Sequence, residues 1–152
     1  MSVPRSVVKI NRNGVTYTSN VDRASYTIRE LSRAALRDVG RYISRLCNSE
    51  AMKLHGLKKS RRVRGKTSAF QFWVRKVETD LQVGVKHDTW YGVEQELGSA
   101  KMPKQGILYN TTNDNIPMII EIESQYLSAL EDEATALSMI NEEEYQGGAD
   151  DG

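Results

Sequence analysis

Apolar residues recur at spacings of three and four through the first third of the chain: Ile28, Leu31, Ala35, Val39, Tyr42 and Leu46, with Leu36, Ile43 and Cys47 widening the stripe. That period is one face of an amphipathic helix and predicts a helix over 28–54. Thr27 with Glu30 forms a capping-box pattern at its start, and Gly56 suits a left-handed stop. Arg29, Arg33, Arg37, Arg41 and Arg45 recur every four residues on the opposite flank and read as a solvated stripe or, more sharply, as a partner surface. Elsewhere the period drops to two. In Phe70–Arg75 one face carries Phe70, Phe72 and Val74; in Leu81–Lys86 one face carries Leu81, Val83 and Val85. Strict alternation predicts two half-buried strands, joined closely enough through 76–80 for an antiparallel hairpin. Trp73 falls on the second face and marks a contact surface.

Upstream, Val7-Val8-Lys9-Ile10 and Val15-Thr16-Tyr17-Thr18 flank Asn13-Gly14. Both central residues of a type I′ turn need positive φ, so residues 6–18 read as a β-hairpin or extended arm that requires something to pack on. Trp90–Gly98 reads as a short helix or extended segment ended by Gly98. Most of 99–112 reads as loop around the apolar patch Ile107-Leu108-Tyr109. A last helix is expected after Asn115 as N-cap, with Pro117 in its first turn and a stripe of Ile116, Ile119, Ile120, Tyr126, Leu127, Leu130, Ala134 and Leu137. From Glu142 the chain is acidic, contains Gly147-Gly148 and lacks core formers, which predicts a flexible tail. The expectation is an α+β fold: two helices packed on a small antiparallel sheet, an N-terminal hairpin or arm at 1–24, one domain at 25–141 and an acidic tail at 142–152.

Charge changes the picture more than composition does. Residues 1–104 hold all 21 Lys and Arg with 9 acids, net +12; residues 105–152 hold 11 acids and no base, net −11. A chain polarised in this way can attract its own copies head to tail, or meet a polyanion with one half. The basic charge peaks at 53–66, where seven Lys and Arg occur with no acid and without helical or strand period, so the stretch reads as a loop. Lys58, Lys59, Arg61, Arg62, Arg64 and Lys66 are its candidate polyanion contacts. No aromatics interleave them, so any binding of nucleic acid would be through phosphates and blind to sequence.

The chemistry that residue types can carry is sparse. No apolar run approaches transmembrane length, Met1–Arg12 has no signal-like apolar stretch, and one cysteine cannot form an internal disulfide, so no membrane partner and a reducing, cytoplasmic setting are expected. Cys47 lies on the apolar stripe and reads as a buried, unreactive thiol. His55 sits in the basic loop and His87 beside Asp88. Neither their spacing nor that of Cys47 suggests a nucleophile–base pair or a closed zinc site. The carboxylate pairs Glu94/Glu96 and Glu121/Glu123 suit salt bridges, and no Gly-rich phosphate loop with a Lys-Ser or Lys-Thr follower is present. No catalytic, cofactor or metal residue is expected, and no enzyme.

The order of a long helix, a basic glycine-containing loop at 55–68, a hairpin at 69–86, the segment Tyr91-Gly92-Val93-Glu94-Gln95-Glu96-Leu97-Gly98-Ser99, then Met102-Pro103 and a helix after Asn115 resembles the small minor tail and neck proteins of long-tailed bacteriophages. The similarity covers roughly 25–135. Leu97 stands where that family often has an aromatic. What the resemblance implies is a structural virion subunit: a tail terminator, tail-completion or head–tail joining protein that is assembled in the host cytoplasm and forms a ring. Its partners would be copies of itself and neighbouring neck, portal or tail-tube proteins, with non-specific contact to packaged DNA. Tyr91, Glu94, Glu96, Gly98 and Trp73 are the candidate subunit interface. The competing reading is a DNA-binding accessory protein that uses the 53–66 loop.

Overall fold

The computed structural model describes residues 3–5, 7–54, 69–75, 77–86, 90–101 and 103–147, with backbone only at 7–11, 54, 90–92 and 141–147. It is mixed helix and strand. Strands β1 (Val7–Arg12) and β2 (Val15–Ser19) pair antiparallel, as do β3 (Phe70–Val74) and β4 (Leu81–Val85). The helices are α1 (Val21–Leu54), α2 (Trp90–Leu97), α3 (Ile107–Asp114), α4 (Ile116–Ser128) and α5 (Glu133–Gly147), with a 3₁₀ turn at Ala129–Glu131 between the last two. Two compact units result, one of residues 1–35 and 124–152, the other of residues 36–123.

The second unit is built on a glycine and a strand pair. Phe70, Phe72 and Val74 lie opposite Val85, Val83 and Leu81, so the two predicted apolar faces coincide in register. Val39, Ile43 and Cys47 of α1 bury with Phe70 and Ile107, and Leu81, Val83, Val85, Leu108, Ile119 and Ile122 pack around them. Each aliphatic chain fully buried in this way contributes about 1.5–3 kcal/mol. A Cβ on Gly40 would lie 2.4 Å from Phe72 Cδ2 and 2.8 Å from Leu81 Cδ1, so only glycine lets α1 come this close to the sheet. Asn48 finishes the join: its side-chain amide donates to the Phe70 carbonyl at 3.2 Å, and its oxygen accepts the Phe70 N–H at 2.9 Å. The outer edge of β3 thereby gains the partners that an exposed strand lacks. At Asn115 the side chain accepts the Tyr42 hydroxyl at 2.9 Å and donates to the Thr111 carbonyl at 2.8 Å, which fixes the corner between α3 and α4.

The first unit holds the N-terminal hairpin. Asn13 and Gly14 have φ of 54° and 77°, as the two-residue turn requires, and a bulge interrupts the register between Val8 and Ile10. Leu31, Ala34, Ala35, Tyr126, Ala129, Ala136 and Ile140 are buried there. An ion pair joins Arg23 near the start of α1 to Glu133 at the start of α5. Asp132 caps α5: its backbone is extended, and its carboxylate accepts the Ala134 and Thr135 N–H groups and the Thr135 hydroxyl. Those donors, the hydroxyl first, hold the carboxylate pKa below the usual range.

Several expectations need correction. The long helix begins at Val21, not at 28. Thr27 lies inside it with its hydroxyl on the Arg23 carbonyl at 3.0 Å, and Glu30 pairs with Arg33, so neither makes a capping box. A threonine hydroxyl satisfied by the carbonyl four residues back leaves the helix no reason to start there. The arginine flank is not uniformly solvated: Arg33 is buried against Glu30, its Nε without a hydrogen-bond partner among the described residues, and Arg41 pairs with Asp38 at 2.7 Å. Arg29 and Arg45 are exposed. The stretch 99–112, read as loop, contains most of α3. A helix follows Asn115 as expected, but it ends at Ser128, and a 3₁₀ turn and Asp132 separate it from α5. The expected stripe mixes two faces: Leu127 and Leu130 are exposed, as are Ile116 and Ile120, while Tyr126, Ala129 and Ile140 are buried. Helix α5 continues to Gly147, past the expected onset of the tail; 148–152 lie outside the described residues.

Candidate assembly surface

The expected interface segment forms α2 and its exit. Helix α2 ends where Gly98, at φ 83°, donates its N–H to the Glu94 carbonyl at 2.8 Å. The chain then turns so that Gln105 N–H reaches the Gln95 carbonyl at 2.7 Å, and a Cβ on Gly98 would stand 3.0 Å from the Lys104 nitrogen. Helix α3 follows from Gly106, which has no side chain to cap it. Glu96 supplies the cap from ten residues upstream: its two carboxylate oxygens accept the N–H groups of Leu108 and Tyr109, each at 3.1 Å. A carboxylate at a helix N-terminus satisfies orphan donors and meets the positive end of the dipole.

Glu96 is therefore committed within the chain as the clamp between α2 and α3, whereas Glu94 points to solvent. Around the clamp lies a set of exposed apolar residues: Val93 and Leu97, one turn apart on α2, and Tyr109 on α3, with Leu97 68% and Tyr109 65% exposed. The Lys104 ammonium sits 5.6 Å from the centre of the Tyr109 ring. Sequence reasoning had noted Leu97 and Tyr109 without assigning them to a surface. The available signal was the four-residue spacing of Val93 and Leu97 on a helix too short to bury both. Tyr91 lies in α2, its side chain outside the described residues. Trp73 belongs to a different element, on β3 opposite Gln82, and is 45% exposed. Clusters of exposed aromatic and aliphatic side chains mark contact surfaces.

Lys58, Lys59, Arg61, Arg62, Arg64 and Lys66 lie outside the described residues, as do His55 and His87. Lys53, the first base of the run, ends α1 and pairs with Glu50 at 2.6 Å. Among the described residues no group of three or more His, Cys, Asp or Glu could hold a metal ion, and no helix is long and apolar enough to cross a membrane.

Cys47 is fully buried, and its pKa is pushed from 9.0 up to about 11. Burial is the main cause; the charges of Glu96 and Glu50 add to it, and the hydrogen bond with Thr111 opposes it. A folded pKa above the unfolded value stabilises the fold below about pH 9 and loses that contribution as pH rises through about 11. Cys47→Ser, which does not titrate there, is expected to show a shallower alkaline fall in melting temperature. The native thiol is expected to react with thiol reagents at pH 8 only after denaturation.

No family model, no curated protein and no solved structure matches this chain.

Proposed function

We propose that the chain is a structural subunit of a tailed bacteriophage, located in the virion at the head–tail neck or tail end, where it forms a ring as a tail terminator, completion or joining protein. The observation that carries the reading is the separation of charge, +12 in residues 1–104 against −11 in 105–152. In a closed ring each subunit presents one face to its neighbour and receives a different one, and a chain polarised in this way supplies two faces that attract. The exposed apolar set around the Glu96 clamp supports it, because such a set gains by being covered. Its partners would be its own copies and the adjoining portal, neck or tube proteins, with the 53–66 loop towards packaged DNA.

The alternative, a DNA-binding accessory protein, rests on the seven bases of residues 53–66 alone, of which Lys53 lies at the end of α1. Sedimentation velocity at low and high salt separates the two. A ring held partly by exposed charges is expected to loosen as the Debye length falls from about 10 Å at 0.1 M to about 3 Å at 1 M. A chain that sediments as a monomer at every salt concentration and still binds DNA would favour the accessory reading.

A further inference from the structure

The turn end of the N-terminal hairpin is uncovered. From Arg12 to Thr18 every side chain is exposed, with Val15 70% and Tyr17 57% accessible; of the hairpin side chains described, only Ser19, where the hairpin meets α1, is buried. An isolated two-stranded sheet is marginal in water, and its edges offer unpaired backbone groups. The same unit carries a second uncovered feature. At the break between α4 and α5, Leu127 and Leu130 are exposed beside Glu131 and Asp132, which are also exposed. The hairpin does not cover this corner in its own chain, since both remain accessible. Their charges are opposite. Residues 1–21 hold Arg5, Lys9 and Arg12 with no acid, while 121–147 hold eight acids and no base.

We propose that the Arg12–Thr18 end of the hairpin docks on the Leu127–Asp132 corner of a second copy of this chain, with Val15 and Tyr17 covering Leu127 and Leu130 and Arg12 facing Glu131 and Asp132. The contact is heterologous: each copy gives its hairpin and receives another at a different place. Repetition of such a contact closes a ring or extends a filament, according to the rotation it imposes. Burial of Val15 and Tyr17 supplies apolar cover to the exposed turn end of the hairpin, and the opposite charges favour the acidic corner of the neighbour. The inference rests on the ring-forming reading and names one of the surfaces through which a ring would be held.

The test uses full-length chains. One preparation carries Tyr17→Cys and the other Leu130→Cys, with different tags; Cys47 is buried and leaves the new thiols as the reactive ones. After mixing, a short bifunctional thiol cross-linker is expected to join the two tagged chains, while either preparation alone gives little product. Independently, Arg12→Glu with Tyr17→Ala is expected to weaken self-association roughly tenfold or more without changing the circular dichroism spectrum, as removal of an interface anchor does. Adding Glu131→Arg is expected to recover part of the loss through the reversed charge pair. A ring that forms undiminished in the double variant, with no cross-link between tags, would overturn this contact while leaving the ring intact. Cross-linking of Tyr17→Cys only to another particle protein would overturn the assignment to a second copy. A wild-type chain that remains monomeric would overturn both this contact and the ring reading.

Discussion

Gly40→Ala is expected to lower the melting temperature of the unit formed by residues 36–123, and Gly40→Val is expected to lower it further. Glycine inside a helix costs about 1 kcal/mol relative to alanine, so on α1 alone the alanine variant would be the more stable. The packing reverses the sign. The new Cβ would stand 2.4 and 2.7 Å from two carbons of the Phe72 ring and 2.8 Å from Leu81 Cδ1, distances at which the sheet must retreat from the helix. Overpacking a close-packed core typically costs about 1–3 kcal/mol, and the retreat also loosens the contacts of Val83 and Phe70 with Ile43 and Cys47. The net loss for alanine is expected at about 1–2 kcal/mol, which for a domain near 100 residues lowers the melting temperature by roughly 4–16 °C. Valine adds two methyl groups where one already clashes, and a loss of about 3 kcal/mol or more is expected. Gly84→Ala is the control, because nothing lies within 4 Å of its added Cβ. Thermal melts of the three variants decide it; a Gly40→Ala protein as stable as wild type would contradict the close approach of α1 to β3 and β4.

The second large effect concerns DNA. If Lys58, Lys59, Arg61, Arg62, Arg64 and Lys66 face phosphates, log affinity should fall against log salt with a slope of about −0.9 per phosphate neutralised, whatever the DNA sequence. Replacing Arg61, Arg62 and Arg64 by serine is then expected to flatten that slope by up to about three phosphate equivalents and to leave the melting temperature unchanged. In particles the same change is expected to reduce DNA retention while assembly proceeds. A triple variant that assembles poorly while its DNA binding is unaltered would assign the loop to an acidic neighbour, for which the exposed Glu94, Glu121 and Glu131 are the available surfaces. A triple variant normal in both assays would leave the loop solvated and without a partner.

Where periodicity and local chemistry agreed, the sequence was readable. The Asn13-Gly14 turn, the paired faces of β3 and β4, the burial of Cys47 and the end of α2 at Gly98 all follow from spacing and from what glycine and asparagine tolerate. The misreadings share a cause, namely partners distant in sequence. Helix α3 is made of Ile-Leu-Tyr-Asn-Thr-Thr-Asn-Asp, poor helix formers behind a glycine that cannot cap, and its start is secured by Glu96 on another element. Arg33 looked like one of five equivalent surface arginines; only the packed structure shows that it is buried with Glu30. The expected C-terminal stripe mixes two faces, because spacings of three and four fit both: Ile119, Ile122, Tyr126 and Ala129 are buried or half-buried, while Ile116, Ile120, Leu127 and Leu130 are exposed. The candidate assembly surface was legible only in outline. Charge separation is a property of the sequence, but which apolar side chains remain uncovered is a property of the fold.

The proposed ring is a closed, cyclic assembly of this chain. Electron-microscopic class averages of the purified full-length protein at low salt, alone and with the neighbouring particle proteins, test it most directly. Closed, cyclically symmetric particles of uniform diameter that become fewer at high salt are the expected result. Averages that show only single 17.2 kDa subunits or irregular aggregates under every condition would contradict it.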